Sequence, residues 1–215
     1  MATPLQSRLP NLLTLLRLAL AAAFFGILNV YRFPDTAVAW ANISVAIFIL
    51  AAITDALDGA LARRWDVQSD FGRVMDPFCD KVLVLGAFIY LAGPRFIVPE
   101  WVEAGSFFTM ASAVYPWMVV VIIARELLVT GIRGVMEAQG HACPSRWSGK
   151  AKMILQSVAI PLLILIVVNF DPVAQSWVRW VSHVIVYTTV AVTIWSGIPY
   201  ITGMRTYMSQ RKTPE

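Results

Sequence analysis

An all-α fold, a polytopic membrane bundle of six transmembrane helices, is predicted by three observations. Of 215 residues, 58% are hydrophobic and only 14% are charged, where soluble domains average about 45–50% and about 25%. The apolar residues gather in six runs, each able to cross a bilayer at roughly 20 residues per helix. Proline and glycine punctuate the gaps between them. No stretch between or beyond these runs is long enough for a second domain, so residues 1–215 read as one membrane-embedded domain.

The first helix is expected over about 10–30, opening at Pro10. Arg17 interrupts its apolar run and no soluble domain follows, which argues for a retained helix rather than a cleaved signal peptide. Pro34-Asp35 marks a turn, with Asp35 placed to cap a second helix over about 36–64. The third covers about 71–92 and ends at Gly93-Pro94. The fourth spans about 106–138, ahead of Gly140, and the fifth about 149–168. Asp171-Pro172 starts the sixth, about 172–208. Pro116, Pro161 and Pro199 fall inside these segments, where a helix in lipid tolerates them as kinks.

Charge orients the bundle. With six spans both termini lie on one side, and 14 of the 17 Lys and Arg fall on that side or nearest to it. Arg32, Arg95 and Arg179 take the other. Basic residues accumulate in cytoplasmic loops, so both termini and the 64–72 and 138–149 loops are expected in the cytoplasm of a cell whose inner membrane holds the protein. Cys79 and Cys143 make neither a disulfide framework nor a zinc site, and Cys79 reads as a small buried apolar residue. His141 and His183 stand too far apart for a ligand cluster. Trp101, Trp117, Trp177, Trp180 and Trp195 lie mostly near the non-cytoplasmic ends and read as an interfacial belt rather than a choline cage. Membrane lipids are the expected surroundings; no nucleic-acid partner is expected.

The second and third helices carry Asp55, Asp58, Asp76 and Asp80. Residues three or four apart share a helix face, so Asp55 pairs with Asp58 and Asp76 with Asp80. The short loop makes the two helices antiparallel neighbours, and the two pairs meet near one end of the bundle. One Asp at the bilayer centre costs roughly 2.5–3.5 kcal/mol to insert, and four repel one another, so cations must compensate. A carboxylate-only set suits Mg²⁺, Mn²⁺ or Ca²⁺ rather than zinc. Four acids suffice for two ions about 3.5–4 Å apart, an arrangement used for phosphoryl transfer. Around them, Gly59 and Gly72 allow close approach to the backbone, Ala62 keeps the face small, and Arg63 supplies a planar fork for phosphate. Interfacial ion pairing alone is the plain alternative.

This run, D-A-L-D-G-A-L-A-R, eight residues, then G-R-V-M-D-P-F-C-D, is identified by resemblance with the signature D-x2-D-G-x2-A-R-x8-G-x3-D-x3-D of the CDP-alcohol phosphatidyltransferases. Asp55, Asp58, Gly59, Ala62, Arg63, Gly72, Asp76 and Asp80 fill its eight fixed places without departure. The resemblance implies six transmembrane helices, a homodimer and a cytoplasm-facing site. It implies that Asp55, Asp58 and Asp76 hold two Mg²⁺ or Mn²⁺ ions, with Asp80 beside them as the catalytic base. It also implies CDP-diacylglycerol as donor, bound near Gly59, Arg63 and Gly72, and direct in-line transfer with loss of CMP.

Further candidates lie outside the signature. Asn11, Thr14 and, less closely, Arg17 share a stripe of the first helix. They read either as a wall of the nucleotide pocket or as a polar helix entrance with Arg17 snorkelling to head groups. Arg125 and Glu126 sit well inside the fourth segment, with Arg133 about 12 Å further along the axis at 1.5 Å per residue. Either Glu126 pairs with Arg133, or Arg125 and Arg133 bind an anionic acceptor while Glu126 orients one of them. Lys150 and Lys152 either complete that pocket or anchor the helix at the surface. These stretches resemble the branch of the family that takes sn-glycerol 3-phosphate as acceptor and forms phosphatidylglycerol phosphate. Inositol phosphate fits the same charge; serine and phosphatidylglycerol are acceptors elsewhere in the family. A divalent-cation transporter is a reading of another class, opposed by the absence of a polar track across the bundle.

Overall fold

Seven α-helices follow one another in a computed structural model that describes residues 4–34, 37–65, 70–139 and 147–210. Within the helices, the side chains of 4–11, 56, 58–65, 70–74, 76, 77, 80, 206, 207, 209 and 210 lie outside the description. The helices are α1 (Pro4–Leu28), α2 (Val38–Trp65), α3 (Asp70–Leu91), the short α4 (Pro99–Glu103), α5 (Pro116–Ala138), α6 (Trp147–Asn169) and α7 (Ser176–Gln210). A 3-10 turn, Pro94–Phe96, links α3 to α4. The architecture is all-α, as expected. Asp35 and His141 lie outside the described residues.

Three boundaries differ from expectation. α1 opens at Pro4 and carries Pro10 within it; the intervening Leu5, Gln6, Arg8 and Leu9 are all good helix formers. The fourth expected segment begins ten residues late, because Pro116 is the first helical residue rather than an internal kink. Its missing N–H is no loss there and its fixed φ suits the position. Upstream, Gly105 and Ala113 both adopt positive φ, at 64° and 57°, which no helix accommodates. The backbone of that stretch bonds elsewhere: Val98 N–H donates to Thr109 O (2.9 Å) and Ala111 N–H to Phe96 O (2.7 Å). The last helix begins at Ser176, not at Asp171-Pro172. The Asp171 carboxylate accepts from Val173 N–H at 2.8 Å and holds a turn ahead of it. Pro161 and Pro199 do lie inside helices.

Most of the helix pairs that pack together are not consecutive in the chain. α1 lies against α2 and α3, α6 against α2 and α7, and α5 against α7 and α3. Phe24, Phe48, Phe88 and Leu163 fill one core, with Ala41, Ala51 and Ala87 fully buried where helices approach. Small residues at such contacts suit helices in lipid, where packing rather than the hydrophobic effect drives association. Three buried hydroxyls are satisfied by the carbonyl of the preceding turn: Ser44 donates to Ala41 O, Thr193 to Thr189 O and Ser196 to Thr193 O. Leu50, Ile53, Val120, Leu127, Val158 and Ile194 face outward. The Trp residues 117, 177, 180 and 195 are exposed too. Cys79 is buried.

Parts of α2 (Val38–Asp55), α6 (Trp147–Asn169) and α7 (Ser176–Arg205) are long and apolar enough to cross a membrane. Leu12–Leu28 and Lys81–Leu91 are shorter apolar stretches. α5 carries Arg125, Glu126 and Arg133 within 18 residues, which lowers its apolar character. The protein is a membrane protein. Its helices alternate in direction, so the C-terminal part of α2 and the starts of α3 and α6 share one end of the bundle. Asn42 and Asn169, which exchange amide hydrogen bonds at 3.0 and 2.8 Å, mark the other.

Candidate active site

The helical premise of the acidic cluster holds in the backbone. Asp55 and Asp58 lie on the unbroken α2, and Asp76 and Asp80 on the unbroken α3. Of the four side chains, Asp55 is described. Those of Asp58, Asp76 and Asp80, with Arg63 and Asn11, lie outside the described residues, as do the surroundings of Gly59 and Gly72. Convergence of all four acids is therefore a matter of helix register here. Among the described residues no group of three or more His, Cys, Asp or Glu gathers.

Asp55 is held from α1. Arg17 Nη1 sits 2.5 Å from Asp55 Oδ1, with the Arg17 side chain 2% exposed and that of Asp55 37%. Snorkelling to head groups is thereby corrected: the guanidinium turns inward because a carboxylate stands within reach. Thr14, one turn before Arg17, is buried as well. A buried charge is tolerable when paired and costly when its partner is removed, so α1 and α2 are tied at this point. Next to the pair, a cavity of about 230 Å³ opens between α2, α3 and α6, walled by Phe48, Ala52, Val84, Met153 and Ile154. Its walls are apolar while its floor is the Arg17–Asp55 pair.

A second cavity, of about 470 Å³, lies between α3, α5, α6 and α7. Lys81, Arg125, Arg133, Lys150 and Lys152 line it against two acids, Glu126 and Glu137, an excess of three positive charges. Glu126 is buried and accepts from Lys152 Nζ at 2.6 Å and Arg125 Nη1 at 3.0 Å. Arg125 Nη2 donates to Ser196 O at 3.1 Å. Gly197 leaves room for this arm, since a Cβ there would stand 3.3 Å from Arg125 Cγ. The expected alternative pair of Glu126 with Arg133 does not form. Arg133 instead lies over the Tyr200 ring at 5.8 Å and has no carboxylate partner among the described residues. A ring contact engages the flat face of the guanidinium and leaves its edge donors for an anion.

Arg125, Arg133 and Lys150 thus come together as expected, with Lys150 exposed at the rim. Lys152 is buried in the wall, not anchored at the surface. Lys81 and Tyr200 are members that sequence reasoning missed. Lys81 directly follows Asp80, and one helical step turns it toward α5, where its Nζ donates to Thr130 Oγ1. That adjacency was the available signal. Met153 lines both cavities. One end of the bundle therefore places an aspartate, an apolar cleft and a cationic chamber side by side.

An acidic run on two helices beside a cation-rich chamber defines a class of membrane phosphotransferase. The chain belongs to the CDP-alcohol phosphatidyltransferase family, which it matches over residues 7–195. It is 34% identical over 189 residues to a CDP-diacylglycerol–glycerol-3-phosphate 3-phosphatidyltransferase of Bacillus subtilis, covering 85% of this chain and 89% of that one. Proteins of the same description from Shigella flexneri and Escherichia coli are 32% and 31% identical over 204 residues, covering 94% of this chain and 97% of each relative.

Proposed function

We propose that the protein transfers the phosphatidyl group of CDP-diacylglycerol to sn-glycerol 3-phosphate, giving phosphatidylglycerol phosphate and CMP in phospholipid biosynthesis. The observation that carries this reading is the chamber with three excess positive charges beside Asp55. A phosphorylated alcohol needs such cations, whereas serine and choline do not. The names of the relatives supply glycerol phosphate.

The carboxylate-only set of Asp55, Asp58, Asp76 and Asp80 suits two divalent cations, Mg²⁺ or Mn²⁺. When bound, such ions supply charge neutralisation at a diphosphate. The chain's own residues do the rest. The apolar cleft of Phe48, Val84 and Ile154 admits acyl chains sideways from the bilayer. Asn11, Thr14, Gly59, Arg63 and Gly72 hold the nucleotide. Arg125, Arg133 and Lys150 take the acceptor phosphate, and Glu126 keeps Arg125 aimed. Asp80 removes the proton of the acceptor's primary hydroxyl. That oxygen bonds to the phosphorus bearing the diacylglycerol, and the bond to the CMP oxygen breaks. The site faces the cytoplasm of a cell's inner membrane, and the active form is a homodimer.

The test is CMP release by purified protein with CDP-diacylglycerol and a panel of acceptors: glycerol 3-phosphate, inositol phosphate, serine and phosphatidylglycerol. Glycerol phosphate is expected to be the best acceptor, and chelation with EDTA to abolish turnover until Mg²⁺ or Mn²⁺ is restored. Release with inositol phosphate alone would keep the chemistry and change the product. Release that persists in EDTA would remove the metals.

A further inference from the structure

At the opposite end of the bundle from Asp55, the start of α7 and the segment before α5 enclose another cavity of about 470 Å³, within the size of small-molecule sites. Arg179 forms its wall. Its guanidinium carbon lies 5.0 Å from the Trp101 ring centre and 5.6 Å from that of Phe108. No carboxylate stands within 4.0 Å of it among the described residues, and it makes no side-chain hydrogen bond there. Glu100 and Glu103 flank Trp101 on α4 without reaching it. Burial pushes the nearby Tyr115 hydroxyl above the ordinary tyrosine range, so it stays neutral and does not cancel the charge. Two aromatic rings thus hold a guanidinium by its faces and leave its edge donors uncommitted. The same contact occupies the Trp101 face that a choline cage would need.

His183 adds a second group. Its Nδ1 lies 2.8 Å from Arg179 O. A carbonyl only accepts, so Nδ1 carries the proton and Nε2 of the neutral ring is an acceptor. Nε2 is buried without a partner, a costly state for an acceptor. Phe108 packs edge-on to this ring at 4.9 Å. The mouth of the cavity carries Trp180, 72% exposed, with Val184 and Tyr187, all on the outward face of α7. A ligand here enters from lipid rather than from water.

We propose that this cavity binds the head group of an anionic, hydroxyl-bearing phospholipid from the membrane leaflet on that side. Arg179 takes the phosphate by its edge donors. A head-group hydroxyl turns to His183 Nε2 through a small shift of the ring, and an acyl chain runs along Trp180 and Val184. The unopposed positive charge selects an anionic lipid over a zwitterionic one. The need for a donor selects a hydroxylated head group over choline. This site is independent of the proposed transfer reaction.

The test is native mass spectrometry of the full chain in detergent, titrated with short-chain phosphatidylglycerol, phosphatidylethanolamine and phosphatidylcholine. Phosphatidylglycerol is expected to bind best. Arg179→Gln should weaken it about tenfold, the scale of a hydrogen bond to a charged group, with CMP release unchanged. His183→Phe keeps the ring packing, so it reads the site even where Arg179→Gln does not fold. It should reduce the preference for phosphatidylglycerol over phosphatidylcholine. Wild-type affinity and preference in the variants would overturn the proposal. Equal binding of either zwitterionic lipid would do so too, as would displacement by millimolar inorganic phosphate, which marks a soluble-anion site.

Discussion

Buried charge at one end of the bundle is organised around two carboxylates, each held by a partner distant in sequence. Asp55 meets Arg17 across 38 positions and Glu126 meets Lys152 across 26. Removing the charge at Glu126 leaves Lys152 and Arg125 without their shared acceptor, and breaking a buried pair costs about 3–5 kcal/mol. Glu126→Gln should therefore lower the melting temperature in detergent and loosen acceptor binding; unchanged melting would mean that the network adds nothing to the fold. Arg125→Ala acts more narrowly. It should raise KM for the acceptor roughly 10- to 100-fold, the value of one or two hydrogen bonds to a charged group, with KM for the donor nearly unchanged. An effect on the donor alone would move Arg125 into the nucleotide pocket. The helical backbone under Asp55 and Asp58 was legible beforehand from their spacing of three; the Asp58 side chain lies outside the described residues. A contact of Glu126 with Arg125 was legible as one of two alternatives, because charges inside an apolar segment seek partners there. Lys152 as its second partner was not, since that depends on how α6 is rotated against α5.

Helices are legible where apolar runs are long and breakers sit at their ends, as with α3 and Gly93-Pro94. They are less so where a proline has two uses. Pro116 reads equally as an internal kink or a first residue, and the hydrogen bonds of 96–98 with 109–111 decide in favour of the second. Asp171 likewise caps a turn before it can cap a helix. Contacts between helices are less visible still in a sequence. Gly86 on α3 faces Phe25 on α1, and a Cβ there would stand 2.4 Å from the Phe25 ring. That ring has little freedom, being stacked on Tyr90 at 5.2 Å and edge-on to Phe24 at 5.0 Å. Gly86→Ala should cost about 1–3 kcal/mol, as overpacking does, read as a lower melting temperature with the acceptor preference retained. A variant as stable as the parent would show that α1 can slide.

Across the whole molecule, the two ends of the bundle are chemically unlike. One holds the aspartates and five cations of the chamber; the other holds Arg179 among aromatic rings. α6 touches both α2 and α7, and it lines both the cleft beside Asp55 and the cationic chamber. Met153 stands on α6 with a wall in each cavity. Transfer to an alcohol succeeds only while water is kept from the same phosphorus, and on the proposed reading a flexible thioether shared by both cavities helps to keep it out. Trimming it in Met153→Ala should spring a leak: CMP released without any acceptor, together with phosphatidic acid as water takes the place of the alcohol. The ratio of that hydrolysis to true transfer measures how well one methionine keeps a reaction dry at the edge of a membrane.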